Sequence, residues 1–144
     1  MVQSAVSHPM DELNKLNFFA AYNHIEPEFV EPDHAVFKLK IRPESKNPYG
    51  IVHGGAIYTM ADNATGFAAH TDGRNYVTQT SALHFLRNQS EGEIQADARV
   101  RHRGHSTCLV AVDILGEDEK LLATGEFTFF CVDPEIMARK VKKA

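Results

Sequence analysis

The sequence predicts an α+β domain in which a curled antiparallel sheet wraps around one long central helix. Between Ala56 and about His70, apolar residues fall at Ile57, Met60, Ala61, Ala64, Phe67 and Ala68, the three-and-four spacing of a buried helical face. From Tyr76 to about residue 133 the pattern is almost entirely strand, and two shorter strand candidates precede the helix. One helix inside a curled sheet buries its stripe with few other elements.

The elements follow in order. Residues 1–9 read as extended or disordered. Asp11 and Glu12 then open a short helix with Met10, Leu13, Leu16, Phe19 and Ala20 on one face, suited to cover a sheet edge or a pocket mouth. Residues 22–30 form a strand that Pro27 places at an edge. In residues 34–42, Ala35, Phe37, Leu39 and Ile41 alternate with polar neighbours, one face in and one out. The turn between these strands is Pro32-Asp33. Gly73 follows the central helix as its stop signal. Tyr76–Arg87, Glu93–Arg103, Thr107–Leu115 and Leu121–Val132 are four further strands, separated by Gly-containing turns at Gly104 and Gly116. Pro134 ends the sheet, and the basic tail through Lys143 reads as a short exposed helix. One domain over residues 1–144, with its core at about 10–133, accounts for the whole pattern.

Composition narrows the function. The chain has 144 residues, 43% hydrophobic and 24% charged, ordinary for a soluble globular protein large enough to bury a core without metal or disulfide. A formal net charge of -4 argues against bulk nucleic-acid binding. No apolar run reaches membrane-span length, and the N-terminus lacks a signal-peptide core. Cys108 and Cys131 have neither a disulfide framework nor metal-ligand spacing, so they are expected as reduced core residues of a cytoplasmic protein. The eight histidines are scattered, and no metal site is expected.

The chemistry concentrates where the loop Asn47-Pro48-Tyr49-Gly50-Ile51-Val52-His53-Gly54-Gly55 feeds the central helix. Glycines there allow close approach to the backbone. The first amides of a helix lack internal partners and sit at its positive end, which suits a carbonyl oxygen becoming an oxyanion. Asp62 lies too far inside the helix to cap it. An isolated helical Asp is more often solvated or paired than catalytic, and an isolated His53 more often structural than a base.

The element order and the segment Asn47…His53-Gly54-Gly55…Asp62 resemble the hotdog-fold acyl-CoA thioesterases, specifically their phenylacetate-pathway (PaaI-type) branch. In that branch an Asn precedes the His of an HGG motif by six residues and an Asp follows that His by nine, as at positions 47, 53 and 62 here. His84-Phe85-Leu86-Arg87 and Val100-Arg101-His102-Arg103-Gly104 resemble two further strand motifs of the branch. The likeness covers roughly residues 10–132.

The resemblance implies hydrolysis of a small aromatic or short- to medium-chain acyl-CoA to free acid and CoA. It implies the Gly54 amide as oxyanion donor and Asp62 as nucleophile or general base. Asn47 would position water or the carboxylate, His53 would order the loop, and Thr78 would assist Asp62. Arg87, Arg101, Arg103 and His105 match places where the family meets the CoA nucleotide and pantetheine. Two of the motifs depart from the family: His105 stands for its basic residue after the turn glycine, and Asn88 for its Pro. Coenzyme A is part of the substrate, and no separate cofactor is implied. The family builds each site from two subunits, so a homodimer or dimer of dimers is expected. The nine-residue step from His53 to Asp62 turns the helix about 100° per residue, placing the two on different sides. A thioester needs an oxyanion donor and a base or nucleophile, and its thiolate leaves readily, so no Ser-His-Asp triad is required. The alternative is a non-catalytic acyl-CoA-binding or sensor domain; retention of Asp62 with Asn47 counts against it. Tyr58, Met60, Phe67 and Phe85 are the residues expected to set the acyl pocket.

Overall fold

The structure, a computed structural model, describes residues 9–135. Two short helices, α1 (Pro9–Lys15) and α2 (Phe18–Tyr22), precede strands β1 (Glu26–Glu31) and β2 (His34–Lys40). Helix α3 (Gly54–His70) follows, then β3 (Tyr76–Phe85), β4 (Glu93–Arg103), β5 (Thr107–Leu115) and β6 (Leu121–Cys131). The strands form one six-stranded sheet in the order β1-β2-β4-β5-β6-β3, and every neighbouring pair is antiparallel. This is the expected hotdog arrangement, with the sheet curled about α3.

All six apolar positions predicted on α3 are buried. They meet Phe37, Leu39, Ile94, Ala96, Ala98, Val110, Val112 and Phe127, the inward residues of the alternating strands. Alanines at 96 and 98 let the helix approach β4 closely, and Phe67 packs edge-on against Phe37 with ring centroids 5.0 Å apart. Thr65, a polar residue on the buried side, donates its hydroxyl to the Ala61 carbonyl at 2.7 Å, which removes the penalty of burying it. Cys108 and Cys131 are free and buried; burial pushes the Cys108 thiol up, away from reactivity.

Several details depart from the sequence reading. The expected first helix is two, broken at Leu16–Asn17, and Leu16 and Phe19 are exposed instead of facing the core. The break lets the Asn17 side chain turn toward α3. Helix α2 ends in a Schellman pattern, with His24 at φ 59° and the Ile25 N–H bonded to the Ala20 carbonyl at 2.9 Å. That turn delays β1 to residue 26. Of the last four strands only β4, β5 and β6 lie side by side in chain order; β3 crosses to the far side of β6 and becomes a ten-residue edge. Pro27 does sit on the opposite edge, beside a bulge between Pro27 and Phe29. The N-terminal segment 1–8 and the basic tail 136–144 lie outside the described residues. No helix among the described residues is long and apolar enough to cross a membrane.

Candidate active site

The loop before α3 is shaped by its own side chains. Asn47 Oδ1 accepts from the Tyr49 amide at 2.9 Å and the Ile51 amide at 3.4 Å. The Asn47 N–H donates to the Ile51 carbonyl at 2.8 Å, and Gly50 turns the chain at φ 81°. Asn47 therefore organises the loop through its oxygen, and only its side-chain amide is left for any positioning task. The His53 N–H donates to the Ser45 carbonyl at 2.7 Å, and Val52 is held by the Gln89 carbonyl at 2.9 Å.

His53 is the N-cap of α3. Its Nδ1 accepts the Gly55 amide at 2.8 Å, and its carbonyl accepts the Ala56 and Ile57 amides. The ring takes the second helical amide, where N-cap side chains ordinarily bond, and leaves the first untouched. The Gly54 N–H has no acceptor among the described residues. The Phe85 ring lies over Gly54, 3.6 Å from where a Cβ would stand, so an apolar surface borders one side of this positive helix end.

Asp62 lies in a separate place. Its Oδ1 accepts the Thr78 hydroxyl at 2.7 Å, so the strand residue and the carboxylate expected to act together do meet. Both line a cavity of about 450 Å³ with Leu13, Leu16, Phe67 and Phe129. His53, Gly55 and Tyr58 line another, of about 780 Å³, with Phe19 and Tyr22 on its rim. Eight residues separate Gly54 from Asp62, about 12 Å along the helix axis at about 1.5 Å per residue. One thioester carbon cannot lie within bonding reach of both groups from the same chain.

The basic residues do not converge. Arg87 stands closest to the loop, lining a cleft with Ile51, Gln89 and Lys120. Arg101 lies in a groove lined by Ala82, Asp97, Asp113 and Glu126. His105 sits in the β4–β5 turn, where its carbonyl accepts from Arg74 at 2.6 Å.

Arg103 departs from the nucleotide-binding expectation. It closes the C-terminal end of α3, donating to the Ala69 carbonyl at 2.8 Å, the Ala68 carbonyl at 3.3 Å and Asp33 Oδ1 at 2.8 Å, and pairing with Asp72 at 2.8 Å. A guanidinium satisfying terminal helix carbonyls and two carboxylates has no fork left for a phosphate.

Sequence reasoning missed the companions of these groups. Asn63, beside Asp62, accepts from Asn17 at 2.7 Å and donates to the Thr59 carbonyl at 2.8 Å, tying the N-terminal helices to α3. Tyr58 and Ser81 share a 2.7 Å hydrogen bond between α3 and β3. At the far end of α3, the Tyr76 hydroxyl donates to Asp72 at 2.6 Å. Burial first, then that bond, pushes the Tyr76 hydroxyl up to about 12. Burial also raises the Asp72 carboxyl, but its bonds from Tyr76 and Arg74 and the charge of Arg103 outweigh it, and the net direction is down. Tyrosine and arginine spaced for a hairpin give no sequence signal for such a network. Among the described residues no group of three or more His, Cys, Asp or Glu is placed to hold a metal ion.

Comparison with known proteins places this geometry. The sequence model of the thioesterase superfamily matches residues 49–123, from the loop through α3 into β6. The acyl-coenzyme A thioesterase PaaI of Escherichia coli is 29% identical over 62% of this chain and 64% of its own length, just under two thirds. The 1,4-dihydroxy-2-naphthoyl-CoA hydrolase of Listeria monocytogenes is 31% identical over 72% of this chain and 87% of that relative. Among solved structures, a hypothetical thioesterase protein with coenzyme A from Streptococcus pneumoniae superposes with a TM-score of 0.78 at 26% identity. It covers 83% of this chain and 96% of that one.

Proposed function

The chain belongs to the thioesterase superfamily, and on that footing we propose that it hydrolyses acyl-CoA thioesters to free acid and CoA in sites shared by two copies. The observation that carries this reading is the pairing of an unengaged first helical amide at Gly54 with a hydrogen-bonded carboxylate at Asp62, too far apart on one helix to serve one substrate. A two-fold partner resolves the mismatch: Gly54 of one copy faces Asp62 of the other, and two equivalent sites result. Strand β3 supports this, because it is an open edge with Val77 and Phe85 exposed, 51% and 54%, and an unpaired edge invites a second strand.

In the proposed reaction the Gly54 N–H donates to the thioester oxygen as it gains negative charge. Asp62, held by Thr78, attacks the carbonyl carbon or takes a proton from the water that does so. The carbon–sulfur bond breaks, the thiolate leaves and takes up a proton, and the carboxylic acid departs. Direct attack forms an anhydride that water then opens, so both routes consume one water and release the same products. His53 holds the loop, Asn47 fixes its turn, and Arg87 stands nearest to receive a CoA phosphate as the loop's charged neighbour. The substrate class rests on the relatives: the E. coli protein is named for acyl-CoA and the Listeria protein for a naphthoyl-CoA.

The test measures thiol release from aryl, short and medium acyl-CoAs by wild type and Asp62→Asn. The asparagine keeps the Thr78 bond but can neither attack nor accept a proton, and turnover should fall by about 10²-fold or more with the melting temperature little changed. Equal turnover by the two proteins refutes the mechanism. Wild-type silence across the panel, with tight CoA binding retained, replaces it with an acyl-CoA-binding role.

A further inference from the structure

We infer that Gly66 fixes the depth of the acyl pocket and that the group it admits is apolar, an aromatic ring or a medium-length alkyl chain. The inference rests on the thioesterase reading and deepens it. Gly66 lies four residues after Asp62, on the same face of α3, and lines the same cavity of about 450 Å³. A glycine inside a helix is unfavourable relative to alanine, so its presence asks for a reason. Backbone conformation gives none, because Gly66 is not among the residues at positive φ. Packing within the chain gives none either: a Cβ there would stand 3.5 Å and 3.8 Å from the Phe129 ring, ordinary contact. What remains is the open volume. Helical side chains lean toward the helix N-terminus, so any side chain at 66 would cover the space beside Asp62. That is where the acyl group of a thioester under attack by Asp62 must extend.

The walls decide the chemistry of the occupant. Leu13, Leu16, Phe67, Val77 and Phe129 contribute apolar surface. Two polar groups of the wall, His70 and Tyr76, are already engaged. His70 donates from Nδ1 to the Gly66 carbonyl at 2.6 Å and accepts the Tyr76 amide on Nε2 at 3.2 Å, so both ring nitrogens are taken. The Tyr76 hydroxyl is turned away to Asp72. A hydroxyl or charge on the acyl group would find no unengaged partner on His70 or Tyr76, whereas a ring or alkyl chain loses nothing there. Leu13 and Leu16 reach the cavity from α1 and its exit, so the Asn17–Asn63 bond also holds the cavity's roof.

The experiment compares kcat/KM for acetyl-, hexanoyl- and phenylacetyl-CoA in wild type, Gly66→Ala and Gly66→Leu, with melting temperature and sedimentation measured on each. Gly66→Ala should melt about 2–4 °C higher and lose activity on the two larger substrates only. Gly66→Leu should lose about tenfold or more on those substrates and stay within about threefold on acetyl-CoA. Equal losses on all three substrates, or no loss on any, overturn the inference while leaving the thioesterase reading intact. A lower melting temperature or dissociation of Gly66→Ala also overturns it, since the glycine would then serve close packing between copies. Wild-type inactivity on all three substrates would instead remove the reading beneath it.

Discussion

Substituting proline at Gly54 isolates the proposed oxyanion donor. Proline at the first helical position has a preorganised φ and lacks only the N–H that a helix leaves unpaired there. The preceding residue must be extended, and His53 already stands at φ -68°, ψ 136°, the polyproline II conformation that a following proline favours. The added Cβ would meet the Phe85 ring at 3.6 Å, ordinary contact that requires no shift. The His53–Gly55 cap bond is untouched, because it uses the next amide. Gly54→Pro should therefore fold as well as wild type, gaining up to about 1 kcal/mol from reduced unfolded-state entropy. Loss of one oxyanion donor should lower kcat by about 10²–10³-fold, equivalent to about 2.7–4 kcal/mol of transition-state stabilisation. Thermal unfolding, sedimentation and steady-state thiol release on one preparation separate these effects. A stable variant with kcat within about threefold of wild type would refute the assignment of this amide to the transition state.

Three further outcomes follow from the same geometry. Thr78→Val keeps the shape of the strand but removes the 2.7 Å bond to Asp62; hydrogen bonds to charged groups are worth about 1.5–3 kcal/mol, so kcat should fall about 10–100-fold with KM little changed, and an unchanged kcat would reduce Thr78 to a spectator. Arg103→Met leaves the Ala68 and Ala69 carbonyls and the half-buried Asp72 without that cation. It should cost about 2–3 kcal/mol and lower the melting temperature by about 5–10 °C, whereas a raised KM at unchanged stability would return Arg103 to CoA binding. Stability should also fall at both pH extremes. Tyr76, held up to about 12 from 10.0, contributes fully below pH 10 and progressively less as pH rises toward 12. Asp72, held below 3.8, contributes fully above pH 4 and less as pH falls through its lowered value. Urea midpoints from pH 3 to 12 check this, and Tyr76→Phe should flatten the alkaline limb; an equal limb in both proteins would exclude Tyr76 as its source.

What the sequence made legible was whatever repeats or is local. The α3 stripe from Ile57 to Ala68 and the alternation of β4 and β5 follow directly from periodicity, and the core contains every one of these positions except Val100, which is partly buried beside a register shift. The His53 cap and the Gly50 turn lie within a few residues of their partners, so a short motif encodes them. The partner of β3 was not legible, since strand order depends on which edge the 86–92 segment reaches, not on β3 itself. The break at Asn17 was hidden as well: Leu13, Leu16 and Ala20 keep helical spacing, but the side chain that ends the helix bonds to Asn63, forty-six residues away. The partners of Arg103 were hidden for a related reason. Its strand motif says where the arginine emerges, while its partners at 33, 68, 69 and 72 are set by the closing of the whole sheet.

The pairing of Thr78 with Asp62 depends on a feature that no motif records. On β3, Ser81 bonds to Tyr58 and Phe85 covers Gly54, so positions 81, 83 and 85 face the helix. Regular alternation would then send 79 and 77 inward and turn Thr78 outward. The register against β6 instead slips between Thr78 and Thr80: Thr78 stands opposite Phe129 and Thr80 opposite Thr128, leaving Gln79 as the extra residue of a bulge. The bulge returns Thr78 to the inner face and aims its hydroxyl at the carboxylate, a common use of bulges beside active sites. It also constrains the proposed dimer. When β3 pairs with its own copy about a two-fold axis, inward residues must meet inward residues. Beyond the bulge these are the odd positions, so paired numbers must sum to an even value and the axis must pass through a residue, not between two. The bulge lies away from the middle of that segment, so Thr78 of one copy is carried toward the Phe85 end of the other. That end carries Gly54. In the proposed dimer, antiparallel pairing of this edge would carry Thr78 and Asp62 of one copy toward the Gly54 amide of the other, so one edge strand would supply both halves of each site.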